Sequence, residues 1–166
     1  FMLLVSHLGE MDPSITPRMP VLNSPLLSIH VSIIMISYAL FSLTFICAIA
    51  YFLTYRSKKA NIIQTNKQLT TLSQIFLYPA ITTLGLGIFI GAIWANISWG
   101  TYWGWDPKET WALITLMVYA IVLHKQSLPA FLKPLNYHLY MIIAFLSILM
   151  TYFGVNYVLG GMHSYA

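Results

Sequence analysis

The sequence predicts an all-α integral membrane protein: a bundle of about four transmembrane helices with an extracytoplasmic, tryptophan-rich loop. Three observations predict it. Of 166 residues, 58% are hydrophobic and only 7% are charged, against roughly 25% charged in an ordinary soluble domain. The mean hydropathy is +0.75. The few charges stand in short clusters between long apolar runs, and about 20 apolar residues at 1.5 Å each cross a hydrocarbon core of about 30 Å. This balance excludes a disordered tail and a water-soluble globule. The formal charge of +4 reads as membrane topology, not as a nucleic-acid surface. With Cys47 as the single cysteine, an intrachain disulfide, a CxxC pair and a cysteine metal site are all excluded.

The elements follow in order. The chain opens at Phe1 with neither an initiating methionine nor a signal-peptide pattern, which predicts a piece of a longer protein. Residues 1–25 contain Pro13, Pro17, Pro20 and Pro25 and are expected to form a non-helical outer lead-in, with residues 1–5 the stub of an earlier span. No charged side chain lies between Arg18 and Arg56, which predicts a first span over 26–55. A second is expected over 72–94, bent by Pro79 and by Gly85, Gly87 and Gly91. Within it Gly87-Ile-Phe-Ile-Gly91 forms a small-xxx-small face that admits another helix. The third span looks short until Asp106-Pro107-Lys108-Glu109 is read as N-cap, N1 proline and N3 glutamate. A helix over 107–125 then covers about 28 Å. A fourth span is expected over 136–159, and residues 26–166 together form one transmembrane domain.

Arg56, Lys58, Lys59, Lys67, Lys125 and Lys133 fall on one side of this layout, which the positive-inside rule makes cytoplasmic. Arg18, Lys108 and the four acids fall on the other, so both ends lie outside. All five tryptophans, Trp94, Trp99, Trp103, Trp105 and Trp111, sit in one window around that outer face. An interfacial aromatic belt would spread them over several helix ends. Here large flat rings alternate with small residues over 99–106, a pattern suited to holding a broad planar apolar ligand.

Histidines sharpen the reading. His30 falls near the outer end of the first span and His163 just beyond the outer end of the fourth. Two imidazoles flanking an aromatic platform are what six-coordinate haem iron needs. His124, at the inner end of the third span, cannot reach that pair across a bilayer and stands as a separate intramembrane candidate. His138 and His7 are expected to be interfacial. Asp106 and Glu109 are explained by a helix cap. Lys108 is either a snorkelling interfacial lysine or a partner for a carboxylate.

These residues carry a resemblance. Trp99-Gly-Thr-Tyr-Trp103-Gly-Trp105-Asp106-Pro-Lys-Glu109-Thr-Trp111 resembles the WWD signature of the haem-handling proteins of cytochrome c biogenesis. The tail from Phe153 through Asn156 and His163 to Tyr165, and Leu27-Ser-Ile-His30-Val31, are similar to the CcsA type, the membrane half of the system II cytochrome c synthase. The resemblance covers nearly the whole chain, from about Pro20 to Ala166, and identifies it as a C-terminal portion. It implies that haem b is bound at the extracytoplasmic face, with His30 and His163 as axial ligands to the iron. Trp99, Trp103, Trp105, Asp106 and Trp111, in a WWD loop of about 94–111, would hold the macrocycle. His124 matches a transmembrane histidine that binds haem nearer the cytoplasm with a histidine of an earlier helix.

The implied partners are apocytochrome c, membrane lipid, and a CcsB-type extracytoplasmic domain or the missing N-terminal part of the same chain, with no nucleic acid. The implied chemistry is of the haem-lyase type, thioether formation between haem and the cysteines of a CxxCH motif. No side chain here is expected to act as a catalytic nucleophile. The implied location is a bacterial inner membrane, with a plastid thylakoid second. A haem transporter and an electron-transfer membrane cytochrome with bis-histidine haem remain the alternatives.

Overall fold

The structure, a computed structural model, describes residues 25–57 and 59–159, and for 156–159 the backbone alone. The lead-in over 1–24 and the tail over 160–166, with His7 and His163, lie outside the described residues. Four α-helices make up the described chain: α1 (Pro25–Thr54), α2 (Ala60–Trp99), α3 (Pro107–Ala120) and α4 (Pro134–Leu149). A short 3-10 turn, Ile121–His124, follows α3, and a π-helical stretch, Met150–Leu159, continues α4. There is no strand among the described residues. Helices α1 and α2 and the segment Pro134–Val155 are each long and apolar enough to cross a membrane, and the molecule is an all-α integral membrane protein.

The elements form where local chemistry permits. Pro25 and Pro134 each open a helix at the position where a missing N–H costs nothing. Helix α2 runs 40 residues, well beyond both ends of the apolar stretch, and passes through Pro79 without interruption. It ends at Gly100, whose φ of 78° and N–H bond to the Asn96 carbonyl (2.9 Å) make a left-handed cap. Helix α3 starts with the expected capping box on Asp106 and Glu109. As an α-helix it stops at Ala120, short of Lys125. With the 3-10 turn after it, 107–124 covers about 29 Å, close to the length expected of a helix over 107–125.

Antiparallel α1 and α2 share the most extensive helix–helix interface, and α4 packs against α1. The core lies where these three meet α3. There the rings of Phe41 and Tyr119 stack with centroids 3.9 Å apart, against Leu77, Leu84 and Met141. Hydrogen bonds tie neighbouring helices. Ser37 Oγ donates to the Ala80 carbonyl (2.9 Å), Tyr140 OH donates to the Val118 carbonyl (2.8 Å), and Ser73 Oγ lies 2.9 Å from the Tyr137 hydroxyl. Where lipid removes the hydrophobic drive between helices, such bonds contribute about 0.6 kcal/mol each. Outward-facing Leu53, Phe89, Ile46 and Leu146 are exposed, as a surface solvated by acyl chains requires.

Arg56, Lys59, Lys67, Lys125 and Lys133 lie in or beside the α1–α2 and α3–α4 connections, the end that the positive-inside rule makes the inner one. Lys108 is the one cation at the outer end among the described residues.

Candidate functional site

At the outer end α1, α2, α3 and the π-helical stretch enclose a cavity of about 340 Å³, within the range of small-molecule sites. Its walls come from elements far apart in sequence: His30, Ile34 and Tyr38 of α1, Ile88 and Gly91 of α2, Tyr102 and Trp103 of the connecting loop, Lys108 and Glu109 of α3, and Thr151 and Tyr152 beyond α4.

His30 is positioned by the small-xxx-small face of α2. A side chain at Gly91 would place its Cβ 2.6 Å from His30 Cε1, and one at Gly87 would place it 2.5 Å from Ile34 Cδ1. His30 and Ile34, one turn apart, thus seat on the two glycines. The imidazole is held there by a 2.8 Å bond between Nδ1 and the Gly87 carbonyl. A carbonyl only accepts, so Nδ1 carries a hydrogen, and in a neutral ring the lone pair is then on Nε2. An Nδ1–H bonded to a backbone carbonyl is the usual means of orienting a metal-binding imidazole.

The connecting segment spans only residues 100–106, since Trp94 and Trp99 belong to the last turns of α2 and Trp111 to α3. The window over 94–111 is therefore two helix ends and a short loop. Trp94 is 1% exposed and belongs to the core, meeting Trp99 edge-on at 4.9 Å. Trp103 lines the cavity and meets Trp105 edge-on at 6.0 Å. Trp105 points outward, 73% exposed, with a φ of 55°. That left-handed conformation is strained for a bulky residue. Glu109 imposes it: one carboxylate oxygen, Oε2, accepts from the N–H groups on both sides of Trp105, Gly104 at 2.8 Å and Asp106 at 3.3 Å.

Of the residues singled out in the sequence, the cavity brings together His30, Trp94, Trp103, Lys108 and Glu109. Trp99, Trp105 and Trp111 are not among its walls. Asp106 is buried as the N-cap of α3, its Oδ2 accepting from Lys108 N (3.0 Å). Trp111 enters through its backbone: its carbonyl lies 3.2 Å from Thr151 Oγ1, whose hydroxyl also has the Ser147 carbonyl as acceptor at 2.7 Å and lies 2.9 Å from Thr115 Oγ1. These two buried hydroxyls join α3 to the start of the π-helical stretch. His124 is exposed at the inner end, at the close of the 3-10 turn.

His138 corrects its reading as an interfacial residue. It is 0% exposed in the core, stacked on Tyr51 at 4.3 Å, with Nε2 3.0 Å from Thr70 Oγ1. The Thr70 hydroxyl donates to the Asn66 carbonyl, so Nε2–H donates to it in turn. The spacing of the apolar face of α4, Tyr137, Met141, Ala144 and Ile148, was the signal that could have placed His138 inside. Tyr38, Tyr152 and Thr151 are cavity residues that nothing in their local sequence marks.

Comparison with known proteins gives one family. The model of the cytochrome c assembly proteins matches residues 1–163. Protein NrfI of Wolinella succinogenes is 43% identical over 99% of this chain and 18% of its own length. The cytochrome c biogenesis protein CcsA of Chlamydomonas reinhardtii is 36% identical over 90% of this chain and 43% of its own length. CcsA of a Synechococcus strain (CC9605) is 34% identical over 92% and 59%. The chain thus spans less than two thirds of these curated relatives.

Proposed function

The chain belongs to the cytochrome c assembly protein family, and on that premise we propose that it is the haem-handling membrane part of a system II cytochrome c synthase. In this reading it receives haem b at the extracytoplasmic face and presents it to the CxxCH cysteines of apocytochrome c. The observation that carries the proposal is the outer cavity, where an imidazole held through Nδ1–H by the Gly87 carbonyl shares a largely apolar, aromatic wall with Trp103. That donor set fits a ferrous porphyrin, for which one neutral nitrogen and a flat apolar surface are the essential contacts.

His30 and His163 would be the residues that hold the iron of such a group, each through an imidazole nitrogen. Trp99, Trp105, Asp106 and Trp111 act around the cavity, the first two as ring surface, the last two through the cap and backbone of α3. His124 serves a separate inner site completed by a helix outside this chain. The thiols that react belong to the apocytochrome, so this chain's contribution is positional: it fixes the haem edge and excludes water while the cysteines approach. A CcsB-type domain and a bacterial inner membrane complete the setting.

The test is the haem content of the full chain purified with each histidine replaced. His30→Ala and His163→Ala should each lower bound haem or leave it oxidised, and added imidazole should restore the ferrous spectrum. Wild-type haem content and absorption in both variants would overturn the assignment. Covalent haem on a co-expressed apocytochrome separates a synthase from a transporter or an electron-transfer cytochrome.

A further inference from the structure

The deepest wall residues of the cavity come from four elements: Tyr38 of α1, Ile88 of α2, Ala112 of α3, and the consecutive Thr151 and Tyr152 of the π-helical stretch. The last two tie that stretch to different helices. Tyr152 meets Tyr38 edge-on, with ring centroids 6.5 Å apart, and so joins it to α1. Thr151 joins it to α3. Its hydroxyl has one proton, and the nearer carbonyl is that of Ser147 at 2.7 Å, so its oxygen accepts from Thr115 Oγ1 at 2.9 Å. Lys108, Ala112 and Thr115 recur at helical spacing on one face of α3, and the first two belong to the cavity wall. The buried hydroxyl pair therefore stands about one turn inward of Ala112 and binds two walls of the cavity together.

We propose that Thr151 is a positioning residue of this site: through its bond to Thr115 it fixes the winding of the π-helical stretch and thereby holds the Tyr152 ring against Tyr38 as the inner stop of the cavity. The proposal rests on the haem reading above and deepens it. Winding of the i→i+5 kind is rare, and a return to α winding at Thr151 would turn every following side chain about the helix axis. Tyr152, the next residue, is the first to be displaced. An uncommon backbone state persists where surrounding contacts over-determine it, and the bond from α3 is such a contact at the start of the stretch. His30 and Tyr38 share one face of α1, two turns apart. With Tyr152 in place, the aromatic pair bounds the cavity on the inner side of the imidazole and so limits how deep a bound ring can sit. A wall that is ordered beforehand also spares the ligand the cost of ordering it.

The full chain is titrated in detergent with ferrous iron protoporphyrin IX, and binding is read from the absorption spectrum. The near-ultraviolet circular dichroism of the ligand-free chain is recorded beside it. Thr151→Val keeps the shape and removes the hydroxyl. It should weaken binding by roughly three-fold or more, the average worth of one hydrogen bond between membrane helices, and should alter the dichroism. Thr151→Ser should keep wild-type values of both. Thr115→Val removes the same bond from α3 and should match Thr151→Val, and the double variant should be no weaker than either. Should Thr151→Val lose helix content, Thr115→Val carries the same comparison. Tyr152→Leu should weaken binding by itself, and in that background Thr151→Val should have no further effect, because the ring it positions is gone. A purely structural threonine would cost the same in both backgrounds, and that result overturns the proposal. Wild-type binding by both valine variants equally overturns it. Failure of the wild type to bind the porphyrin overturns the haem reading itself, a distinct outcome.

Discussion

A single oxygen atom, Glu109 Oε2, holds both amides that flank Trp105. The φ of 55° at Trp105 costs about 1–3 kcal/mol for a residue with a Cβ, and two bonds to a carboxylate are enough to offset it. Glutamate at N3 thus has two effects, completing the cap of α3 and turning an indole out to the surface. Glu109→Ala is expected to lower stability by about 1 kcal/mol, the worth of a cap. It should also abolish the near-ultraviolet circular dichroism of the Trp103–Trp105 pair. Glu109→Gln keeps an acceptor oxygen and should retain most of that signal. Loss of the signal in Glu109→Gln with full retention in Glu109→Ala would refute the clamp. The cap was legible in the sequence because its residues are adjacent. The positive φ was not, since nothing in the types Gly-Trp-Asp demands it.

Between elements, the decisive contact is the seating of α1 on the glycines of α2. Gly87 and Gly91 were readable as a face for another helix, but not which helix would use it. The structure shows that His30 and Ile34 do. Gly91→Ala places a methyl carbon against the His30 ring and should move the imidazole off the Gly87 carbonyl. The expected result is a shifted haem spectrum and a several-fold lower haem content, with the helix content unchanged. Gly85→Ala is the control. Its Cβ would meet nothing within 4 Å, so spectrum and content should stay at wild type. Equal behaviour of the two variants would remove the close approach as the reason for Gly91. The π-helical stretch after α4 is a second feature invisible in the sequence. Thr151 at its start reaches the Trp111 carbonyl and Thr115, and that registration is set by contact with α3, not by propensity.

Taken whole, the molecule is longer than the membrane it crosses. Forty residues of α2 extend about 60 Å, twice the hydrocarbon core. Its polar first turns, with Gln64 and Lys67, therefore stand clear on the positively charged inner side. A cysteine at Gln64 should react with a membrane-impermeant thiol reagent from the cytoplasmic side only, and one at Tyr102, exposed in the outer loop, from the opposite side only. The native Cys47 is buried and should stay unlabelled from either side. Labelling of both introduced cysteines from the same face would overturn the orientation.

Composition and charge by themselves determined the all-α membrane class, and they set the expectation of an inner face and an outer one, with His30 and the tryptophans toward the outer. These are properties of neighbouring residues and of runs along the chain, and a bilayer reads them locally. Only the tertiary structure decided that His30 bonds to Gly87, 57 positions away, that Trp103 lines the cavity while Trp105 faces out, and that His138 lies in the core. Those outcomes depend on which helix faces meet and how closely. That is fixed by the packing of side chains distant in sequence, whose joint effect no single stretch of residues contains.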